Sequence, residues 1–169
     1  MVIWIIGLAG SGKTTIGTEL YSRLKQEHPN LVLIDGDTFR EVMGDDLGHT
    51  VADRKKNADR ICNLSRALDQ QDIHVVACVL SLFHESQEWN RKNYGQYFEI
   101  FTDVSMETLV QRDQKGLYSG ARNGTLRDVV GVDIPFEPPR NPDYVIDNNR
   151  PLEDLEQIVT ELLRALPPL

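Results

Sequence analysis

The chain carries Gly7-Leu8-Ala9-Gly10-Ser11-Gly12-Lys13-Thr14 directly after the apolar run Val2–Ile6, and a helical pattern begins at Lys13. The segment fits the pattern G-x-x-x-x-G-K-[ST], whose glycines let backbone N–H groups turn inward around phosphate oxygens. The N-terminus of the helix that follows adds partial positive charge. In such a loop the lysine reaches the β- and γ-phosphates, and the final hydroxyl binds Mg²⁺. The sequence therefore predicts a P-loop, with Lys13 and Thr14 in these two roles.

Apolar runs alternate with helical patterns along the rest of the chain, which is typical of a parallel sheet covered by helices. Each run is too short, and too rich in β-branched and aromatic residues, for a helix to be preferred. The predicted strands cover residues 2–6, 31–35, 73–80, 97–102 and 144–146. The sequence therefore predicts an α/β fold, a three-layer P-loop sandwich with a five-stranded parallel sheet.

Three helices are predicted with defined ends. The first covers residues 13–27, and the second begins at the capping-box-like segment 50–53 and runs to about residue 71. The third begins at Pro151, which suits a first-turn position, and carries apolar residues at intervals of three and four from Leu152 to Leu166. Pro167-Pro168 stops it. We assign this last helix to packing rather than to chemistry.

Length and composition indicate one domain with a lid. A chain of 169 residues suffices for one hydrophobic core and not for two, so residues 1–169 are predicted to form a single P-loop domain. Residues 116–142 lack strong periodicity, and a stretch that long is usually disordered or a functional lid. Its cations and aromatic rings favour a lid, at about residues 113–140, that closes on an anionic ligand. These side chains are Lys115, Tyr118, Arg122, Arg127, Phe136 and Arg140.

The charge balance limits the possible partners. The formal net charge is −8, which argues against general nucleic-acid binding, because such binding rests on many cationic contacts with phosphates. The apolar start reaches Gly7 after six residues and has no basic flank, so no targeting or membrane segment is predicted. Cys62 and Cys78 lack C-x-x-C spacing and partner histidines, and we expect both in a reduced, cytoplasmic core.

An acidic pair follows the second predicted strand. Asp35 and Asp37 lie at its carboxyl end, beside the P-loop, where open α/β sheets bind their ligands. One carboxylate can orient Mg²⁺ or its water, and the other can accept a proton from an attacking hydroxyl. Either aspartate can alternatively be a helix N-cap. Arg40 is placed to hold an anionic substrate. Because no N-K-x-D segment follows, the pattern favours a small-molecule kinase over a GTPase.

Together these motifs resemble the adenylylsulfate (APS) kinase family, in the family's order and over about residues 2–147. The resemblance implies a P-loop enzyme, usually dimeric, that moves the γ-phosphate of MgATP to the 3′-hydroxyl of a nucleotide's ribose. Its partners are then ATP and a small anionic nucleotide, and its cofactor is Mg²⁺. The matching segments are 7–15, 35–40, Asp53-Arg54 with Asn57 and Arg60, 112–118 without residue 114, Ala121-Arg122, 131–133 and Phe136-Glu137 with Pro139.

The resemblance also implies roles for individual residues. Lys13 and Asp37 are the catalytic residues, and Thr14 with Asp37 holds Mg²⁺, in part through water. ATP contacts Gly7, Leu8, Ala9, Gly10, Ser11, Gly12, Lys13, Thr14, Thr15 and Arg112. The acceptor contacts Asp35, Arg40, His49, Arg54, Asn57, Ser81, Leu82, Lys115, Tyr118, Arg127 and Phe136. In the acceptor set, Tyr118 and Phe136 are expected to sandwich the base, because aromatic faces stack on bases.

The chain departs from the family on the acceptor side. Gly48-His49-Thr50 stands where the family has Gly-Phe-Ser, and residues 80–91 replace Ile-Ser-Pro with the arginine-bearing segment after it. One interpretation is drift, with APS still the acceptor, and this is the function we expect. The other is an altered acceptor such as cytidine diphosphoramidate, used by family variants in capsule modification. New polar groups beside a pocket favour that alternative, because sites that hydrogen-bond a substrate discriminate strongly.

A second alternative is a non-catalytic module that senses nucleotides. The survival of both Asp35 and Asp37 beside Lys13 and Thr14 weighs against it. We therefore expect in-line phosphoryl transfer, with the P-loop amides and Lys13 neutralising developing charge and Asp37 orienting or deprotonating the ribose hydroxyl. Closure of the lid would then exclude water, which competes for the γ-phosphate.

Overall fold

The computed structural model describes residues 1–113, 115–149 and 154–169. Its strands are β1 (Val2–Ile6), β2 (Leu31–Asp35), β3 (His74–Val79), β4 (Tyr97–Asp103) and β5 (Tyr144–Asp147). Its helices are α1 (Lys13–Leu24), α2 (Gly36–Val42), α3 (Val51–Asp69), α4 (His84–Asn93), α5 (Met106–Arg112), α6 (Leu117–Arg122) and α7 (Leu155–Ala165). All five strands are parallel, in the order β2-β3-β1-β4-β5. The predicted α/β fold with a five-stranded parallel sheet is confirmed.

The sheet has two buried faces, and the residues of β1 alternate between them. Ile3 and Ile5 pack with α1 and α7 in one apolar cluster, while Val2, Trp4 and Ile6 pack with α3 in the other. Because both faces are covered, β1 is a continuous apolar run rather than an alternating one. The three layers of the predicted sandwich are thus α1 with α7, the sheet, and α3 with α4.

The boundaries differ from the predicted ones by a few residues. Helix α1 ends at Leu24 rather than at residue 27, and α3 ends at Asp69 rather than near residue 71. Thr50 caps α3, because its side chain accepts a hydrogen bond from the backbone N–H of Asp53. The last described helix begins at Leu155, and the predicted start at Pro151 and Leu152 lies outside the described residues.

The predicted lid contains a third apolar cluster above the carboxyl edge of the sheet. Leu8 of the P-loop, Leu109 of α5 and Tyr118 of α6 are buried there with Val129 and Val130. The cluster packs the lid against the P-loop. The lid also contains the short helix α6, so it is not loop throughout. Among the described residues, none of the helices has the length and apolarity to cross a membrane.

Candidate active site

The P-loop is held in shape by contacts under it. Gly10 and Gly12 have φ angles of +78° and +90°, a region that favours glycine. A Cβ on Gly7 would lie 2.0 Å from Oγ1 of Thr102, so only glycine fits there. The Oγ atoms of Ser11 and Thr102 are 2.8 Å apart, and Nδ2 of Asn148 donates to the Ser11 carbonyl at 2.8 Å. These contacts fix the conformation of the loop.

Lys13 begins helix α1, and its Nζ atom donates to the carbonyl of Leu8 across the loop at 3.2 Å. Burial lowers the pKa of Lys13, while the nearby charges of Asp37 and Asp35 act in the opposite direction. A buried ammonium group gains most from an added anion, because an opposite charge favours its ionised form. The position and charge of Lys13 suit a phosphate oxygen held by the loop.

Thr14 and Asp35 join the P-loop to the end of β2. The Thr14 hydroxyl donates to Oδ2 of Asp35 at 2.7 Å. The other carboxylate oxygen, Oδ1, accepts from the backbone N–H groups of Asp37 and Thr38, at 3.0 and 3.3 Å. Asp35 is therefore the N-cap of α2, which was the alternative interpretation of this residue. Its second oxygen still faces the hydroxyl that is expected to bind Mg²⁺.

Asp37 lies in the first turn of α2, and its carboxylate accepts a hydrogen bond from Nζ of Lys115 at 2.7 Å. Burial alone would raise the pKa of Asp37, but the hydrogen bond and charge of Lys115, with the charges of Lys13 and Arg40, lower it overall. The pKa of Lys115 is raised in turn by the same hydrogen bond. The lid thus reaches the acidic pair through Lys115.

The predicted acceptor residues of α2 and α3 come together around one loop. Arg40 donates to the carbonyls of Leu47 and Gly48, at 3.2 and 2.8 Å, and Nε of Arg54 donates to the carbonyl of His49 at 2.8 Å. The second contact of Arg54 is the carbonyl of Asp128 in the lid, at 2.9 Å. These bonds connect the loop 43–50 to both helices and to the lid.

This cluster carries unused polar capacity. Burial lowers the pKa of Arg54, and the charge of Arg40 adds to that effect, so the two guanidinium groups lie within electrostatic reach. Burial, Arg54 and Arg40 also lower the pKa of His49. Asn57 is only 6% exposed, and its Oδ1 is buried without a hydrogen bond, as is Nε of Arg40. The two guanidinium groups suit an anionic ligand, and the unpaired Oδ1 of Asn57 suits a hydrogen-bond donor.

At the end of β3, Ser81 has a φ angle of +37°, which is strained for a residue with a Cβ. Its Oγ accepts a hydrogen bond from Nε2 of the buried Gln87, at 3.3 Å. The next residue, Leu82, is partly buried against the apolar cluster under the lid. The Phe136 ring stacks on Phe101 with centroids 6.1 Å apart and an interplanar angle of 29°.

Tyr118 requires a correction. We predicted that its ring would stack on the acceptor base, but the side chain is 1% exposed and its hydroxyl donates to the carbonyl of Ala9 at 2.7 Å. The ring packs in the apolar cluster under the lid, so neither face is open to a base. Phe136 remains partly exposed in the predicted pair, whereas Arg127 is exposed on the loop after α6.

Arg112 and Asn148 form a link that the sequence analysis recognised only in part. The Arg112 guanidinium donates to the carbonyl of Asn148 at 2.8 Å, and Asn148 in turn supports the P-loop through Ser11. Asn148 is 2% exposed and directly follows β5. A polar residue at the carboxyl end of a parallel strand was the signal that identified Asp35, and the same signal was available for Asn148 and Thr102.

The fold and this site define a P-loop kinase, with a phosphate loop on one side of Asp37 and a cationic pocket on the other. The adenylylsulphate kinase family profile matches residues 1–147. The chain belongs to the APS kinase family and is an ATP-dependent phosphotransferase, which confirms the resemblance found in the sequence.

Individual relatives agree with this assignment. A cytidine diphosphoramidate kinase of Campylobacter jejuni is 42% identical over 98% of this chain and 95% of its own length. An adenylyl-sulfate kinase of Clostridium kluyveri is 37% identical over 98% of this chain and 83% of its own. The solved structure of the Mycobacterium tuberculosis APS kinase CysC in complex with AMPPNP and APS has a TM-score of 0.85 at 29% identity, covering 97% of this chain and 95% of that one.

Proposed function

We propose that the protein transfers the γ-phosphate of MgATP to the ribose 3′-hydroxyl of adenylyl sulfate. The observation that carries the proposal is the position of Asp37. Its backbone N–H donates to Asp35, which accepts from Thr14 of the P-loop, and its helix α2 also carries Arg40 of the acceptor cluster. A carboxylate between a phosphate loop and a cationic pocket is where a hydroxyl nucleophile would have to be oriented.

In this mechanism the ribose 3′-oxygen attacks the γ-phosphorus in line, and the bond from that phosphorus to the oxygen shared with the β-phosphate breaks to release ADP. The proton of the hydroxyl passes to the Asp37 carboxylate and then to solvent. The lowered pKa of Asp37 keeps its carboxylate ionised near neutral pH, so the carboxylate can accept a hydrogen bond from the ribose hydroxyl. Lys115 donates to the Oδ2 oxygen of that carboxylate, which leaves the Oδ1 oxygen for the ribose hydroxyl.

The residues near Thr14 fit the Mg²⁺ that accompanies ATP. The Thr14 hydroxyl and the carboxylates of Asp35 and Asp37 are oxygen donors, which this ion prefers, and Mg²⁺ is usually held by one or two carboxylates together with phosphates and water. We propose Thr14 as the direct ligand, with Asp37 or the Thr14-bound Asp35 holding water of the ion. When bound, Mg²⁺ neutralises charge on the phosphates.

Cytidine diphosphoramidate is the second candidate acceptor. The relative from Campylobacter jejuni bears that activity in its name and is 42% identical over nearly the whole chain. The positions where this chain departs from the APS kinase pattern lie on the acceptor side, and His49 is exposed there. A pyrimidine offers less surface for stacking than a purine, so an imidazole in place of a phenyl ring suits it better.

The experiment that tests both candidates is acceptor-dependent ADP release from MgATP, measured with APS and with cytidine diphosphoramidate at equal low concentrations. At such concentrations the two rates report kcat/KM for each acceptor. A higher rate with APS supports the proposed acceptor, and turnover only with the cytidine compound replaces it by the second candidate. Nucleotide binding with no acceptor-dependent ADP from either compound would leave the nucleotide-sensing module as the function.

Two variants check the assigned roles. Lys13→Ala should abolish turnover, because it removes the buried cation beside the P-loop. Asp37→Asn should lower kcat by about 10²- to 10⁴-fold, the usual contribution of a general base, while ATP binding stays measurable. A fully active Asp37→Asn variant would contradict the assignment of Asp37 as base.

Two further properties complete the proposal. We expect a homodimer, as the family resemblance implies, and light scattering of the purified chain measures its mass directly. We also expect the protein to work in the reducing cytoplasm, because Cys62 and Cys78 are both buried free thiols. Burial raises the pKa of Cys62 to about 11 and that of Cys78 to about 12, which leaves both thiols protonated and unreactive.

A further inference from the structure

One face of helix α4 holds the segment 137–143 that leads out of the lid. His84, Glu88 and Arg91 are spaced by four and three residues and therefore share a helical face. His84 contacts Glu137 and Pro138, Glu88 contacts Arg140, and Arg91 contacts Asn141 and Asp143. The contacts follow the same order along the helix and along the segment, so the two run side by side.

The segment depends on these side chains because it has few main-chain bonds. Among the described residues, no backbone–backbone hydrogen bond outside regular helices and strands involves residues 135–142. Pro138, Pro139 and Pro142 have no N–H group to donate. The first such bond after Ile134 runs from the N–H of Asp143 to the carbonyl of Glu99, at 2.8 Å. Between Ile134 and Asp143, side chains from α4 supply the polar contacts to the main chain.

His84 makes the innermost of these contacts. Its Nε2 lies 3.0 Å from the carbonyl oxygen of Pro138, and its Nδ1 lies 3.6 Å from a carboxylate oxygen of Glu137. A carbonyl only accepts, so the Nε2 atom is the donor. The His84 side chain is 14% exposed, whereas the Glu88–Arg140 pair further along the helix is 58% and 64% exposed. Solvent therefore screens the His84 contacts less than it screens the Glu88–Arg140 ion pair.

We propose that His84 is a positioning residue that fixes Phe136 against Phe101 and so sets the acceptor-base side of the pocket. Phe136 lies two residues before the carbonyl that His84 holds, and its ring stacks on Phe101 at 6.1 Å. Pro138 and Phe136 also line a small cavity of about 70 Å³ together with Phe101, so the residue whose carbonyl His84 holds and both rings of the stack border one space. The inference rests on the proposed function, because it assumes that the acceptor contacts Phe136.

The test compares His84→Ala with Glu88→Ala, a matched control on the same helical face whose ion pair is exposed. Loss of one hydrogen bond predicts an acceptor KM that is about three- to tenfold higher in His84→Ala, with the KM for MgATP and kcat unchanged. Glu88→Ala should leave all three values unchanged. His84→Arg keeps an N–H donor for the carbonyl of Pro138, and it should restore the acceptor KM.

A second readout needs no acceptor. The NMR resonances of the Phe136 ring, assigned with a Phe136→Leu variant, should shift in His84→Ala and return in His84→Arg, because the ring current of Phe101 acts on them. An unchanged Phe136 spectrum in His84→Ala overturns the positioning role, whatever the turnover shows. If wild-type protein turns over neither acceptor, the proposed function fails, and the ring resonances still decide the inference about His84.

Discussion

The ammonium group of Lys115 lies 2.7 Å from the carboxylate of Asp37, a residue 78 positions earlier in the chain. The Lys115 side chain is 67% exposed and that of Asp37 is 71% exposed, so the pair contributes little to stability. Its consequence is electrostatic, because it joins the predicted lid to the residue that we assign as the base. The acceptor hydroxyl and this lid cation would therefore share the two oxygens of one carboxylate.

Lys115→Met should raise the pKa of Asp37, since the hydrogen bond and charge of Lys115 are the largest effects that lower it. The measurement is a pH titration of the Asp37 carboxyl carbon by NMR. Lys115→Arg, which keeps the charge, is the control. A titration of Asp37 that is the same in wild-type protein and in Lys115→Met would contradict the ion pair in solution.

The lowered pKa of Asp37 also determines how the stability contributed by the ion pair changes with pH. Because the folded-state pKa of Asp37 lies below its unfolded value, about 3.9, the pair stabilises the folded state above that pH and its contribution is lost as the pH falls through the folded-state pKa. Any loss of stability in Lys115→Met should therefore be present at neutral pH and vanish in acid.

Asp35 caps α2 and accepts a hydrogen bond from Thr14, and a pair of variants can separate the effects of these two contacts. Asn caps helices about as well as Asp, so Asp35→Asn should keep the N-cap of α2, whereas Asp35→Ala should cost about 1 kcal/mol of unfolding free energy. Both variants remove the charge that faces the Thr14 hydroxyl. We expect both to need more Mg²⁺ for half-maximal turnover, and only Asp35→Ala to have a lower midpoint of denaturation. Equal Mg²⁺ requirements in wild-type protein and Asp35→Asn would exclude a role for Asp35 near the ion.

The sheet could be predicted because its central strands, β1, β3 and β4, are buried on both faces. Val2–Ile6 and Leu31–Asp35 are apolar throughout or nearly so, and each ends at a glycine or an aspartate that marks the carboxyl edge. The P-loop motif then predicted where phosphate binds. These signals are local, since each lies within a few residues of sequence.

The lid could not be predicted in the same way. Tyr118 donates to Ala9 across 109 residues, and Arg54 reaches Asp128 across 74. Contacts at such separations leave no periodicity in the segment itself. An aromatic residue in the lid is therefore equally compatible with stacking on a base and with burial in the core. The sequence therefore predicted a lid in this stretch, but it placed the Tyr118 ring against the acceptor base rather than in the apolar cluster where it packs.

Tyr118→Phe tests that correction. Removing the hydroxyl leaves the Ala9 carbonyl without its partner, at a cost of about 1 kcal/mol of unfolding free energy. Because Ala9 belongs to the P-loop, we expect the KM for MgATP to rise and the KM for the acceptor to stay unchanged. Steady-state kinetics with each substrate varied in turn provides both values. A rise in the acceptor KM alone would support the original assignment of Tyr118 to the acceptor base.

Gly17, in the middle of α1, lies directly against the side chain of Cys78 in β3. A Cβ there would lie 2.1 Å from Sγ of Cys78, so Gly17→Ala should destabilise the protein by about 1–3 kcal/mol through overpacking, although alanine favours helices. Cys78→Ala removes the obstructing sulfur. The double variant should therefore be more stable than the sum of the single effects predicts, with a coupling of about 0.5–3 kcal/mol in denaturant unfolding. Additive effects would mean that α1 and β3 are further apart than 2.1 Å implies.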